Sequence, residues 1–327
     1  MKYDVITFGA GSWDIYVKSG KFLARGKDIC VPIGSKTEVE DIMMFSGGGG
    51  TNTAATFANQ GLKTAYCGMV GDDCFGDLTI KELEGLGIDT GFVLRAENKP
   101  TNTSVFLASP GKDRTILVYR GASDDLTKKD IPWLKIPACR QAGKIAKWFY
   151  LAPFSGKLAN LTDELINFAK KNKIKVAFNP GYSQLKFPKE TLKRILNKID
   201  VLILNKEEAS SLTEIPYRNE KEIFNKIDKM TKGIAIMTKG GEGVSVSDGK
   251  YLFRAMGLGL KLIDGTGAGD SFGAGFIAGL IQKDDITFAI QLAMANSSYN
   301  ITKWGAKEGL LKIGQNWPKV EVEKIKI

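Results

Sequence analysis

Histidine is absent from all 327 residues of the chain. Its absence removes Ser-His-Asp hydrolysis, imidazole acid–base catalysis and the Cys/His zinc sites together. A general base therefore has to be Asp, Glu, Lys, Tyr or Cys. Cysteine is scarce as well: Cys30, Cys67, Cys74 and Cys139 are the only four, and no two make a CxxC pair. No stretch approaches the roughly 18 uninterrupted apolar residues of a membrane span. The opening "MKYDVITFGAG" lacks the length and cleavage site of a secretory leader. These absences lead to the expectation of a cytoplasmic protein with no membrane partner. No GxxxxGK[ST] occurs, and "GAGSWD" from Gly9 does not complete GxGxxG. A P-loop and a dinucleotide Rossmann site are both unsupported.

What remains is an ordinary soluble composition, 43% hydrophobic and 25% charged, with a net charge of +10. The length suits one large α/β domain or two small ones. The lysines are spread out, as in "KKNKIK" and "NKIDKMTK", without interleaved aromatics. They read as a solvated surface, so no nucleic-acid partner is expected, though a basic surface also suits anionic phosphates.

Apolar strands alternate with amphipathic stretches along most of the chain. "DVITFG", "KTAYCGMVG", "AKWFYLA", "KVAFNP" and "DVLILN" read as strands; "TNTAATFANQG", "LTDELINFAKKN" and "KETLKRILNK" read as helices. "FGDLTIKELEGLG" is a further helix, with Leu78, Leu83 and Leu86 on its apolar side and Gly87 as its stop. This alternation predicts a three-layer α/β/α fold around a mostly parallel, doubly wound sheet. Two regions break it, from about 13 to 46 and from about 98 to 122. They read as short strands with turns, the second a hairpin on Pro110-Gly111-Lys112-Asp113. A small β-sheet projecting from a single domain over 1–327 is expected.

"DGTGAGDSFGAGF", from Asp264 to Phe276, holds five glycines in thirteen residues. "GLKLID" before it can be a strand end, and Phe272, Phe276, Ile277 and Leu280 follow at helical spacing. The cluster is thus a strand-to-helix turn. The N–H groups of Gly267, Ala268 and Gly269 would be the free donors of a helix start, which attracts anions. Asp270, in the first helical turn, can take a proton from an alcohol while those donors hold a moving phosphoryl group. An acidic N-cap with glycines for tight helix packing is the competing account.

With this cluster in view, the chain resembles the ribokinase-like (PfkB-type) carbohydrate kinase family. "GGGGTNTAATFANQG" (Gly47 to Gly61) is similar to the family's N-terminal signature and "DGTGAGDSFGAGF" to its C-terminal one. "GMVGDDCFGDLTIKELEGLGID", "LNKEEAS" and "MTKGGEGVSV" lie between them in family order. The resemblance implies an ATP-dependent sugar kinase requiring Mg²⁺, with Asp270 as the catalytic base and Gly267, Ala268 and Gly269 as the anion hole. It implies sugar contacts from Asp14, Gly47, Gly48 and Asn52, and from Ser12, which stands where a sugar-binding Asn is common. Asn205 and Glu208 match an NxxE motif that organises Mg²⁺, with Glu208 acting through water. The same two residues also fit a capping box. Thr238, Gly240 and Gly243 fall where the family binds nucleotide, and Asn296 in its adenine-side segment. Asp264 and Thr266 match positions that hold a monovalent cation, K⁺, through carbonyls.

Departures put ribose itself in doubt. The usual Lys of the N-terminal signature is Gly49, and "WFYLAPFSG" offers no acidic residue. Arg114 and Arg120, in the lid, can bind a substrate phosphate or be plain surface. The expectation is phosphorylation of a hydroxymethyl group on a small sugar. A nucleoside kinase or sugar-phosphate kinase on the same fold is the alternative, and a non-catalytic sugar or nucleotide sensor a remoter one. A homodimer through the lid would follow if the lid has an exposed apolar face.

Overall fold

The computed structural model describes residues 2–26, 28–109, 114–131 and 145–327. Its centre is a ten-stranded sheet. In spatial order the strands are Glu323–Lys326, Tyr251–Ala255, Val244–Ser247, Ile234–Thr238, Val201–Asn205, Lys175–Phe178, Ala146–Leu151, Tyr3–Phe8, Thr64–Gly71 and Asp89–Ala96. The seven from Ile234–Thr238 to Asp89–Ala96 are mutually parallel. The other three extend one edge in antiparallel fashion. Helices cover both faces, as the strand–helix alternation predicts.

The two faces follow from the period of two along each strand. Ile6, Phe8, Phe149 and Leu151 enter one core, with Leu165, Ile166, Ile195 and Ile223 of the helices over that face. Val5, Trp148 and Tyr150 enter the other, with Phe57, Phe272, Phe276 and Ile290. Central strands buried on both faces carry nearly continuous apolar runs, which is why they were legible.

Tyr3–Phe8 is flanked by Thr64–Gly71 on one side and Ala146–Leu151 on the other. The winding direction reverses there. In an open α/β sheet, a crevice forms beyond the carboxyl ends of the strands at such a point, and ligands bind in it.

Over this crevice stands a four-stranded sheet in the order Asp41–Gly47, Ser12–Lys18, Asn102–Ala108, Thr115–Tyr119. It is the expected lid. Leu23–Arg25 and Asp28–Cys30 form a separate pair within the first lid segment. Asp14 pairs with Phe45 and Ser104, and Tyr16 with Met43 and Phe106, so these residues share the face toward the crevice. Ile15, Val17, Met44, Ile42, Val105, Leu107 and Leu117 share the opposite face. On that face Ile42 is 57% exposed, Met44 53% and Leu117 54%. The strands on either side of Pro110–Asp113 pair antiparallel, as a hairpin requires; the turn itself, like Cys139, lies outside the described residues.

Two local expectations are corrected. "GLKLID" forms no strand: the preceding strand ends at Ala255, and the segment is irregular chain with Leu262 and Ile263 exposed. Leu78 is exposed on the helix Cys74–Gly85, whereas Leu83 is fully buried. Gly87 follows that helix with φ 74°, the left-handed geometry of a C-terminal stop.

Candidate active site

The glycine cluster leads into the helix Ala268–Lys283, whose N-cap Gly267 has φ 74°. A left-handed residue there suits glycine, and no side chain caps the helix. The Ala268 N–H donates to Gly265 in a turn at 3.2 Å. The N–H groups of Gly267 and Gly269 meet no acceptor among the described residues. A Cβ on Gly269 would meet open space, so an anion can reach this backbone closely. The acidic N-cap is not found, since Gly267 holds that position, but the glycine packing is: Gly273 lies against Tyr150 of the sheet. Farther along the same helix, Gly275 and Gly279 press against the backbone of Ala293 and Ala289.

Asp270 projects from the first turn of this helix. Its Oδ2 accepts a hydrogen bond from Asn52 Nδ2 at 2.8 Å. Asn52 lies on the helix Gly49–Asn59, which enters the crevice directly beyond the end of Tyr3–Phe8. The other amide oxygen of Asn52 is buried without a partner among the described residues. Desolvation raises the Asp270 carboxyl above the usual carboxylate range, opposed by the Asn52 hydrogen bond and by Lys307. Gly49 is next to it: a Cβ there would lie 3.4 Å from Asp270 Oδ1 and 3.1 Å from Ala152. The two signatures, more than two hundred residues apart, thus meet at the switch point.

Asp14 faces the same space from the lid and is 6% exposed. Burial pushes its carboxyl up to about 6, against a lowering hydrogen bond from Ser104 and the nearby charge of Lys307. Gly47 lies against this carboxylate so closely that any side chain would collide with it, and Ser12 is its cross-strand partner. Ser12, Asp14 and Gly47 thus meet on the lid strands, and the glycines that follow Gly47 lead to Asn52 and Asp270.

Lys307 was not foreseen. Its side chain is 6% exposed, its ammonium 3.2 Å from Glu82 and 2.5 Å from the Ser46 hydroxyl. Ser46 and Glu82 are themselves hydrogen-bonded. Burial lowers the Lys307 ammonium, and the charges of Glu82, Asp14 and Asp270 hold it up. An ammonium has three donors and these partners occupy two. Lys307 lies in "AMANSSYNITKWGAKEG", the segment similar to the family's adenine side, and nothing in that string marked it as facing the carboxylates.

On the nucleotide side, Asn205 and Thr238 are register partners at the carboxyl ends of adjacent strands. Asn205 Oδ1 accepts the Glu208 N–H at 2.7 Å, and Glu208 Oε2 accepts the Asn205 N–H at 2.8 Å. The capping box is therefore real, and it leaves the second carboxylate oxygen of Glu208 uncommitted. Burial raises the Glu208 carboxyl. Burial raises the Tyr150 hydroxyl, and the charges of Asp270 and Glu208 raise it further. Gly240 and Gly243 adopt positive φ in the turn after Thr238. Beside that turn lies a cavity of about 600 Å³ lined by Lys239, Glu242, Val244, Met256, Leu258 and Val320 among others.

Asn296 is a correction. It is fully buried; its Nδ2 donates to Ser271 O at 2.8 Å and its Oδ1 accepts from Leu311 N at 2.9 Å. It ties two helices and the C-terminal segment together and exposes no surface to a nucleotide.

Asp264 and Thr266 sit three and one residues ahead of Gly267. Asp264 is fully buried. Its carboxylate lies 3.1 Å from Arg114 Nη1 and accepts the Tyr16 hydroxyl at 2.8 Å. Arg114 is thus turned to this carboxylate.

Three comparisons bear on this geometry. A family model described as pfkB family carbohydrate kinase matches residues 23–313. An uncharacterized sugar kinase of Archaeoglobus fulgidus is 30% identical over 250 residues, covering 76% of this chain and 96% of that protein. Among solved structures, Arabidopsis thaliana ribokinase complexed with ribose and ATP has a TM-score of 0.78 at 21% identity, over 95% of this chain and 96% of that one. The nucleoside kinase of Methanocaldococcus jannaschii has a TM-score of 0.72 at 21% identity, over 95% of each chain.

Proposed function

The chain belongs to the pfkB family of carbohydrate kinases, ATP-dependent phosphotransferases acting on sugar hydroxyls, and on that premise we propose that it phosphorylates a hydroxymethyl group of a small uncharged sugar. The observation that carries the reading is the meeting of Asp270 and Asn52 at an uncapped helix N-terminus in the switch-point crevice. Asp270 is the base: it takes the hydroxyl proton as the oxygen attacks the γ-phosphorus in line. Asn52 orients that carboxylate and accepts from the sugar through its unpartnered oxygen. The Gly267 and Gly269 N–H groups, with the helix dipole, stabilise charge on the moving phosphoryl group.

Asp14 accepts from sugar hydroxyls, and Lys307 donates its third N–H to one. Ser12, Gly47 and Gly48 shape the wall beside them. Thr238, Gly240 and Gly243 hold the nucleotide. Bound Mg²⁺ would neutralise phosphate charge, with Glu208 holding it through water by the free carboxylate oxygen. The lid closes over the acceptor and excludes water. Its apolar outer face pairs with a second copy of the chain.

A nucleoside acceptor is the second reading. Ile116 and Val118 are 45% and 57% exposed on the lid's inner face, where they could cover a base. The deciding experiment is an ADP-release screen with ATP and Mg²⁺ across free sugars, sugar phosphates and nucleosides. Turnover with a free sugar is the expected result. Turnover only with nucleosides or sugar phosphates would replace the acceptor, and bound ATP without any turnover would favour a sensor.

A further inference from the structure

The Asp264 carboxylate offers about four lone-pair sites. Arg114 Nη1, the Thr266 N–H at 3.0 Å and the Thr266 hydroxyl at 2.8 Å reach its Oδ1. The Tyr16 hydroxyl at 2.8 Å and the Gly305 N–H at 3.1 Å reach its Oδ2. The Thr266 carbonyl, a cation ligand in the family's pattern, accepts instead from Asn300 Nδ2 at 3.1 Å. Arg114 Nη2 adds a hydrogen bond to the Thr266 hydroxyl at 3.2 Å. A monovalent cation needs oxygens with free lone pairs. Here the carboxylate oxygens are taken by N–H and O–H donors, one lone pair of the Thr266 carbonyl is engaged, and the charge of a guanidinium beside them repels a second cation. The residues present do not fit K⁺.

We infer that the Arg114 guanidinium is the resident counter-charge of Asp264, latching the lid to the loop before the anion-binding helix in place of a monovalent cation. Arg114 immediately precedes the lid strand Thr115–Tyr119, and Tyr16 lies on the lid strand that also carries Asp14. Phe106 of a third lid strand stacks on Tyr16 at 4.3 Å and lies under the guanidinium at 5.5 Å. The latch thus joins three lid strands to a loop three residues from Gly267. Swinging the lid away removes the guanidinium and the Tyr16 hydroxyl from the Asp264 carboxylate and leaves it only the Thr266 and Gly305 donors. Closure and anion-hole geometry are therefore coupled, and Arg114 and Tyr16 are positioning residues for phosphoryl transfer. This rests on the kinase reading of the helix start.

The first test needs no acceptor. The melting temperature of the wild-type protein is compared in KCl and in tetramethylammonium chloride at equal ionic strength. No difference is expected; a specific stabilisation by K⁺ would overturn the substitution of arginine for the cation. The second uses the acceptor found by the ADP-release screen. Arg114→Ala should lower kcat by about 10- to 100-fold, the size of a lost charged hydrogen bond, with little change in the KM for ATP. Arg114→Lys and added guanidinium should each restore part of it. Tyr16→Phe, which keeps the ring packing, should lower kcat less, in the same direction. Wild-type kcat in Arg114→Ala, or a loss confined to the KM for ATP, would overturn the latch.

Discussion

At the residue scale, the cleft places its carboxylates where they are least comfortable. Asp14 has its carboxyl raised to about 6 by burial, above the unfolded value. A raised carboxylate is a stability cost whenever it is ionised. That cost is fully present above about 6 and is relieved as the pH falls toward the unfolded value near 3.9, at about 1.4 kcal/mol per pH unit. Asp14→Asn should therefore raise the melting temperature at neutral pH, by the order of 3 kcal/mol in stability, while removing acceptor binding. Calorimetry and kcat/KM together check both halves. In the wild type, kcat/KM for the acceptor should fall as the pH drops through about 6 and Asp14 protonates. Asp270→Asn should lower kcat by about 10²- to 10⁴-fold, the usual contribution of a general base, and leave ATP binding by calorimetry nearly unchanged. Most of the proposed machinery was legible because signatures are local strings. Lys307, Tyr16 and the pairing of Arg114 were not, since their partners lie far away in sequence: Tyr16 and Asp264 are separated by 248 positions. Asn296 was misread because a polar residue on a helix looks the same whether it meets solvent or another buried amide.

Among the elements, strands with continuous apolar runs were placed correctly, and errors fell where hydrophobicity and burial part company. "GLKLID" is apolar, yet it is irregular chain with Leu262 and Ile263 exposed. The edge strand Glu323–Lys326 went unseen for the opposite reason: "EKIK" carries the charges that protect a sheet edge from further pairing. The helix Ala268–Lys283 serves two purposes along its length. Its first turn faces the cleft, and its later glycines let the helix Ile286–Asn300 approach closely. A Cβ at position 279 would stand 2.6 Å from the Ala289 Cα, which is backbone and cannot rotate away. Gly279→Ala should thus cost about 1–3 kcal/mol despite alanine's better helix propensity, read as a lower denaturation midpoint in urea. Gly269→Ala meets open space and should leave the midpoint nearly unchanged while impairing turnover.

For the whole molecule, the exposed lid face bears on assembly. Ile42, Met44 and Leu117 form part of a contiguous apolar surface on the side away from the crevice. Sedimentation equilibrium should find a dimer, and Met44→Lys with Leu117→Lys should give a monomer; a wild-type monomer at all concentrations would refute the pairing. The fold also has a consequence in time. The central strand Tyr3–Phe8 is made early, but its neighbour Ala146–Leu151 emerges well over a hundred residues later. Asp270 and Lys307 come later still. A ribosome therefore exposes Asp14 and Asn52 long before Asp270 and Lys307 exist, and the proposed site can assemble only once the C-terminal segment has emerged. A nascent chain stalled before Lys307 would hold most of a sheet and an unfinished pocket, a product for the protease and not for metabolism.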